Sequence, residues 1–378
     1  MRQKKILFIL GTRPEAIKSV PVIKALRGLD LFEVKLCVTA QHRDMMDQIL
    51  YFFDIQPDFD LNLMKKNQSL FDITSEGLKK IEGVLDVFSP DLIFVQGDTT
   101  TAFIGALAGF YKKIKVAHIE AGLRSKNKYS PFPEEINRVL TSHLADFHFS
   151  PTPQAQIHLM QEGVTNPICV VGNTVIDALL WGLHRIQMQG DEVYRSFYSS
   201  LGIGFDQKII LVTGHRRESF GAPIESLCQT LIELSQRFKD VRIVYSVHLN
   251  PNIKDPVYKL LSHHERIHLV PPLEYPHFIW LMNNCYLILT DSGGIQEEAP
   301  SLKKPVLVTR SVTERMEGIE AGTAKLVGTD PAMIIQEVEK LLYDSAYYAH
   351  MTQAENPYGD GHSSQKIVEK LLELQDFY

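Results

Sequence analysis

The sequence predicts an α/β protein built of two Rossmann-like, doubly wound domains facing a cleft. Three observations lead there. The chain has 378 residues, and at about 150 residues per domain that length suggests two. Short β-rich runs recur along it, and several are continuously apolar rather than alternating, the mark of parallel strands buried on both faces. Segments of helical periodicity separate these runs, and strand–helix alternation builds a parallel sheet covered on both sides.

In order, the first strands are KILFIL, EVKLCVT, DLIFVQ, KVAHIE, DFHFS and PICVVG. Between them Ser69–Phe88 carries apolar residues at helical spacing. The pattern restarts with KIILVTG, RIVYSVH, RIHLV, YLILTD, PVLVT and AKLVG. Six strand runs precede Asn173 and six follow Lys208, with a repeated architecture but no repeated sequence. Residues 1–173 are expected to form the first domain and 174–361 the second, with Thr174–Gln207 as the connection. SSQKIVEKLLELQDF reads as a final amphipathic helix.

Composition narrows the function. The chain is 44% hydrophobic and 22% charged, with a formal net charge of -6, and no Lys/Arg run exceeds two residues. Such a surface has no electrostatic footprint for nucleic acid or an anionic membrane. No stretch approaches the roughly 20 apolar residues of a membrane span. The apolar run at the N-terminus, Ile6–Leu10, is too short for a signal peptide. Cys37, Cys169 and Cys285 lie in apolar runs, and Cys228 completes a set of four without CxxC spacing. They read as reduced thiols, so the cytoplasm is the expected compartment.

Ligands of open α/β sheets sit beyond the C-terminal ends of strands, and two such domains place the natural site in the cleft between them. The residues just after each strand therefore matter most. After the first strand, Thr12-x-x-Glu15 is a capping box with Pro14 inside the first turn, a structural reading. Arg13, at the mouth of that helix, suits an anion or is a solvated arginine. No GxGxxG follows any strand, which disfavours a nicotinamide mechanism. Asp98 and Glu120 end the third and fourth strands. Capping explains either alone, but two carboxylates on adjacent strand ends would both face the cleft. Glu134 and Arg138 are spaced i,i+4, as an acid–base pair or as a surface ion pair. Three carboxylates near one cleft make acid–base work plausible.

In the second half, His215, Arg216 and Arg217 follow a glycine after a strand, as a phosphate-facing loop or a solvated charge cluster. His248 again follows a strand. In LILTDSGGIQEEAP, Leu287–Pro300, an apolar run ends in Ser292-Gly293-Gly294 and a short helix. Backbone N–H groups at such a turn cradle phosphate. A carboxylate one turn on, Glu298, would accept from a ribose diol, so a sugar nucleotide fits both parts.

Ten motifs in order, GTRPEAIK, AQHRDMMDQ, GDTTTA, HIEAGLRS, PEEINR, GNTVIDAL, TGHRRESFG, HLNPN, DSGGIQEEAPSLKKPVLV and NPYGDG, resemble those of the non-hydrolysing UDP-N-acetylglucosamine 2-epimerases of bacteria. The resemblance spans Gly11 to about Gly361. It implies a GT-B, glycogen-phosphorylase-like fold whose C-terminal helix, 362–378, packs back on the first domain. It implies interconversion of UDP-N-acetylglucosamine and UDP-N-acetylmannosamine, without cofactor, by a homodimer; no HExxH or similar metal pattern occurs in the sequence. By matched position, Asp98, Glu120 and Glu134 would be the acid–base carboxylates. Arg13, Lys18, Arg138 and His215 would support charge on substrate and departing UDP. Ser292, Gly293, Gly294, Glu298 and Arg315 would hold the nucleotide, with Leu273 and Phe278 beside uracil. Gln41 would contact UDP-N-acetylglucosamine at a second, allosteric site. Met316 departs from the family's usual proline, and Leu273 from a common glutamine.

Overall fold

A computed structural model of the chain describes residues 2–39, 43–63, 68–214, 216 and 220–374. The first sheet contains β1 (Lys4–Leu10), β2 (Phe32–Val38), β3 (Phe59–Asp60), β4 (Leu92–Gln96), β5 (Lys115–Ile119), β6 (Phe147–Ser150) and β7 (Ile168–Val170), in spatial order β3-β2-β1-β4-β5-β6-β7. The second contains β8 (Lys208–Gly214), β9 (Val241–Val247), β10 (Ile267–Val270), β11 (Leu287–Thr290), β12 (Val306–Val308) and β13 (Ala324–Leu326), in order β10-β9-β8-β11-β12-β13. Neighbouring strands in both sheets pair in parallel. Each run read as a strand from sequence is one here. The addition, β3, has only two residues at a sheet edge, too few to show a period.

The apolar runs form strands because both faces of each sheet are covered. Ile6–Leu10 of β1 have no exposed surface, and Phe8 stacks on Phe94 of β4 with ring centroids 4.7 Å apart. The helix expected at Ser69–Phe88 spans Leu70–Phe88; Ser69 is its N-cap and forms a capping box with Asp72. In the first sheet the chain leaves β1 for β2 on one side and later returns to β4 on the other. In the second, β8 is flanked likewise by β9 and β11. Each sheet thus has one place where successive connections diverge, and the loops there leave a crevice beyond the strand ends.

By internal contacts the chain divides into two compact units, Met1–Ala178 with Tyr358–Tyr378, and Leu179–Pro357. The boundary falls within the helix Thr174–Gln189. The helix Ser363–Glu373 packs on the helix Arg13–Arg27. Its own N-cap, His362, makes no side-chain cap. Asp177 supplies one instead, accepting from the Ser363 N–H at 3.2 Å and from the Ser364 N–H and hydroxyl at 2.7 Å each. The backbones meet closely here. Gly172 has φ +92°, and a Cβ on it would lie 2.6 Å from Ser363 Oγ and 3.2 Å from Gly359 Cα, so this position requires glycine. Among the described residues no helix is long and apolar enough to cross a membrane.

Asp177→Ala removes the acceptor for these donors and should cost about 1–2 kcal/mol, as for a lost N-cap. Hydrogen exchange over Ser363–Glu373 should quicken and the thermal midpoint fall. Unaltered exchange there would show that the cap is dispensable.

Candidate functional site

Two groups of residues gather beyond the strand ends, one in each unit. In the first unit, β1 ends at Gly11, where a Cβ would lie 2.2 Å from Thr101 Oγ1 and 2.7 Å from Thr39 Oγ1. The expected capping box at Thr12 and Glu15 is half formed. Thr12 is the N-cap of Arg13–Arg27, but its side chain accepts no cap bond. Glu15 instead turns inward, 1% exposed. It accepts from the Gly11 N–H at 3.0 Å and from the Thr99 hydroxyl at 2.7 Å. Burial pushes its carboxyl up to about 7, against hydrogen bonds from Thr99, Thr12 and Gly11 that favour the ionised form.

Asp98 follows β4 through Gly97, whose φ is +68°. It does not cap a helix; Thr99 does, accepting from the Ala102 N–H at 3.0 Å. The Asp98 carboxylate pairs with Arg138. Glu120 follows β5 in the left-handed region, φ +66°, which costs a residue with a Cβ roughly 1–2 kcal/mol. Its carboxylate accepts from Lys18 and, at 3.0 Å, from Asn173 Nδ2. A Cβ on Gly97 would stand 3.8 Å from Glu120 Oε1, so the two corners adjoin. Both carboxylates are therefore cation-paired and stand at adjoining corners.

The pairing proposed for Glu134 and Arg138 does not form. Arg138 bonds Asp98 and, at 3.1 Å, Glu135. Glu135 is 3% exposed and also accepts from the N–H groups of Ser125 and Lys126. Glu134 opens the helix Glu134–Leu144, half-buried, and its carboxylate has no side-chain partner among the described residues. Of the two adjacent glutamates, the inward one took the arginine. Arg13 is the first residue of its helix and half-buried. His215 and Gln41 lie outside the described residues.

In the second unit, Asp291 follows β11, buried, and accepts from the Arg216 N–H at 2.9 Å, which ties the loop after β8 to the loop after β11. Ser292 is the N-cap of Gly293–Glu298. Its own N–H donates to Thr290 Oγ1 at 3.0 Å, a correction to the cradle expected from sequence. By position, Gly293 and Gly294 carry the outward N–H groups of the first turn. Arg315 lies across this turn: a Cβ on Gly293 would be 3.2 Å from its Cζ. Glu297, 2% exposed, holds the guanidinium through Nε at 2.8 Å. Gln296 accepts from the Thr313 hydroxyl at 2.7 Å, and that hydroxyl accepts from the Arg315 N–H at 3.1 Å. Glu298 is half-buried. Met316 opens a short helix, Met316–Glu320, with Arg315 as its N-cap, so the loop closes without proline. Leu273 is buried after β10, and Phe278 is half-buried in the first turn of Tyr275–Asn284.

Sequence reasoning missed Asn173, Asn137, His118 and Glu297. Asn173 was legible, since it follows β7 as Glu120 follows β5. For Glu297, consecutive helical residues point about 100° apart, so one of two adjacent glutamates must face inward.

A family model described as UDP-N-acetylglucosamine 2-epimerase matches residues 24–372. The chain belongs to that epimerase family. A UDP-N-acetylglucosamine 2-epimerase of Escherichia coli K12 is 51% identical over 369 residues, 97% of this chain and 98% of that one. The Neisseria meningitidis UDP-GlcNAc 2-epimerase, solved bound to UDP-GlcNAc, is 47% identical with a TM-score of 0.89, covering 98% of this chain and 100% of that one. The Methanocaldococcus jannaschii UDP-GlcNAc 2-epimerase, solved with UDP-GlcNAc and UDP, is 35% identical with a TM-score of 0.80, covering 98% and 100%. The fold is thus the GT-B one of the epimerase family.

Glu15 gives a pH test. Its folded-state pKa, about 7, lies above the ordinary 4.5. A raised pKa contributes stability that is complete below the unfolded value and lost as pH rises through the folded one. Between about pH 4.5 and 7, wild type should therefore lose stability relative to Glu15→Gln. Urea unfolding across that range reads the difference; parallel curves would place the group at its ordinary value.

Proposed function

We propose that this enzyme interconverts UDP-N-acetylglucosamine and UDP-N-acetylmannosamine by eliminating UDP to 2-acetamidoglucal and adding it back, supplying bacterial surface polysaccharide synthesis. The observation that carries the proposal is the pair of adjoining, cation-held carboxylates, Asp98 and Glu120. The C2 proton is not acidic, because no carbonyl adjoins it. Loss of UDP changes that: the C1–O electrons leave with the diphosphate, positive charge grows at C1, and a carboxylate takes the C2 proton as the C1–C2 double bond forms. A proton then returns to the other face of C2, and the diphosphate oxygen attacks C1. The route needs proton-shuttling carboxylates together with cations that stabilise the departing charge.

In this reading Asp98, Glu120 and Glu134 act at C2. Arg13, Lys18, Arg138 and His215 balance charge on the sugar and the departing UDP. Gly293, Gly294 and Arg315 take the diphosphate, Ser292 offers its hydroxyl, Glu298 accepts from the ribose, and Leu273 and Phe278 border uracil. No step uses a nicotinamide. Gln41 belongs to a second UDP-N-acetylglucosamine site in the proposed homodimer.

In deuterated water both UDP-sugars should gain deuterium at C2, read by proton NMR. A glycosyltransferase leaves C2 untouched, and a hydrolysing epimerase releases free sugar. Epimerised product without C2 deuterium would sink the elimination route.

Asp98→Asn, Glu120→Gln and Glu134→Gln should each lower turnover at least about 100-fold, the low end of acid–base contributions. Near-normal turnover in a folded variant removes that residue from the chemistry. Glu298→Ala should weaken UDP binding by about 1–3 kcal/mol, the range for a hydrogen bond to a charged group. Unchanged affinity by calorimetric titration removes it from the ribose.

A further inference from the structure

Three consecutive residues at the β4 corner are each held by a buried side chain from a different element. Gly97 O accepts from His118 Nε2 of β5 at 2.7 Å. Asp98 O accepts from Asn137 Nδ2, on the helix Glu134–Leu144, at 3.0 Å. The Thr99 hydroxyl donates to Glu15, from the first turn of Arg13–Arg27, at 2.7 Å. His118 is 0% exposed, Asn137 7% and Glu15 1%. Because a carbonyl only accepts, the His118 proton must sit on Nε2. Burial lowers the ring's pKa to about 4, so it stays a neutral, fixed donor near neutral pH.

Support of a strand corner does not require these groups. Buried polar side chains are costly, and apolar packing of the same volume is often as stable. Glu15 carries that cost most visibly, since burial opposes its charge. What the three bonds supply is direction. They fix the peptides on both sides of Asp98 Cα, and so the path of a side chain whose carboxylate must stand beside Glu120. We propose that His118, Asn137 and Glu15 are positioning residues that aim the Asp98 carboxylate by clamping the backbone of Gly97–Thr99. The proposal rests on the reading that Asp98 acts at the sugar C2. A misplacement of about 1 Å there can slow chemistry by about 100-fold.

The test compares His118→Phe, which removes the donor, with His118→Gln, whose Nε2 still donates, and with Asn137→Leu, which removes the donor to the Asp98 carbonyl. His118→Phe and Asn137→Leu should lower kcat about 10- to 100-fold. KM and UDP affinity, measured by calorimetry, should stay within about threefold, because ground-state binding is untouched. His118→Gln should recover most of the rate. In an Asp98→Asn background, His118→Phe should cost less than about threefold more, since residues acting as a unit are not additive. A full-rate His118→Phe enzyme overturns the proposal, as does an undiminished loss in the Asp98→Asn background. If His118→Phe does not fold, Asn137→Leu in the same two backgrounds decides. Wild-type enzyme that exchanges nothing at C2 would instead strike the proposed function, a result visible without any variant.

Discussion

The right-handed crossover of parallel strands is the constraint on which both units depend. It forces the chain leaving β1 to one face and side, and the chain entering β4 to the other. No loop can then cover the strand ends between them. Short polar side chains pack at those ends. Thr39 and Thr101 hydroxyls meet at 3.1 Å above Gly11, and Thr213 and Thr290 meet at 2.6 Å between β8 and β11. All four threonines are buried, so each hydroxyl pair sits inside the packing beneath the loops.

Topologically equivalent corners have been put to different uses. In the first sheet the strand beyond the divergence is β4, followed by Asp98, paired with an arginine. In the second it is β11, followed by Asp291, which clips the Arg216 backbone. One aspartate lies partly open to solvent, the other is buried. The difference lies in what flanks them. Asp98 has Arg138 delivered from the helix after β5, whereas the arginine in the second unit, Arg315, is claimed by Glu297 and set over Gly293.

Most of the fold was legible because the signals are local. Continuous apolar runs such as Lys208–Gly214 mark strands buried on two faces, and Ser69 with Asp72 marks a helix start. Of the candidate site, the places of Asp98 and Glu120 at adjoining strand ends followed from one rule, that ligand residues of open α/β sheets follow strands. Partners were not legible. The i,i+4 rule joined Glu134 to Arg138, but the arginine reaches Asp98, 40 positions away, and the neighbouring Glu135. Glu15 looked only like a helix cap; besides its bond to the Thr12 backbone it bridges to Thr99, 84 positions on. Spacing along one helix cannot report which side chain another loop will bring.

The Ser363–Glu373 helix has a consequence for biosynthesis. The unit Leu179–Pro357 is one continuous stretch, whereas its neighbour is built from both sides of it in sequence. A ribosome therefore finishes the inserted unit before it releases the helix that covers Arg13–Arg27. Until then the apolar surface awaiting Ile367, Val368 and Leu371, all buried in the finished protein, is open to solvent. The nascent first unit must wait, partly uncovered, for residues made well over a hundred codons later. Its completion is thereby tied to translation having passed through the second unit, and termination within that unit leaves a chain that quality control can recognise by that exposed face.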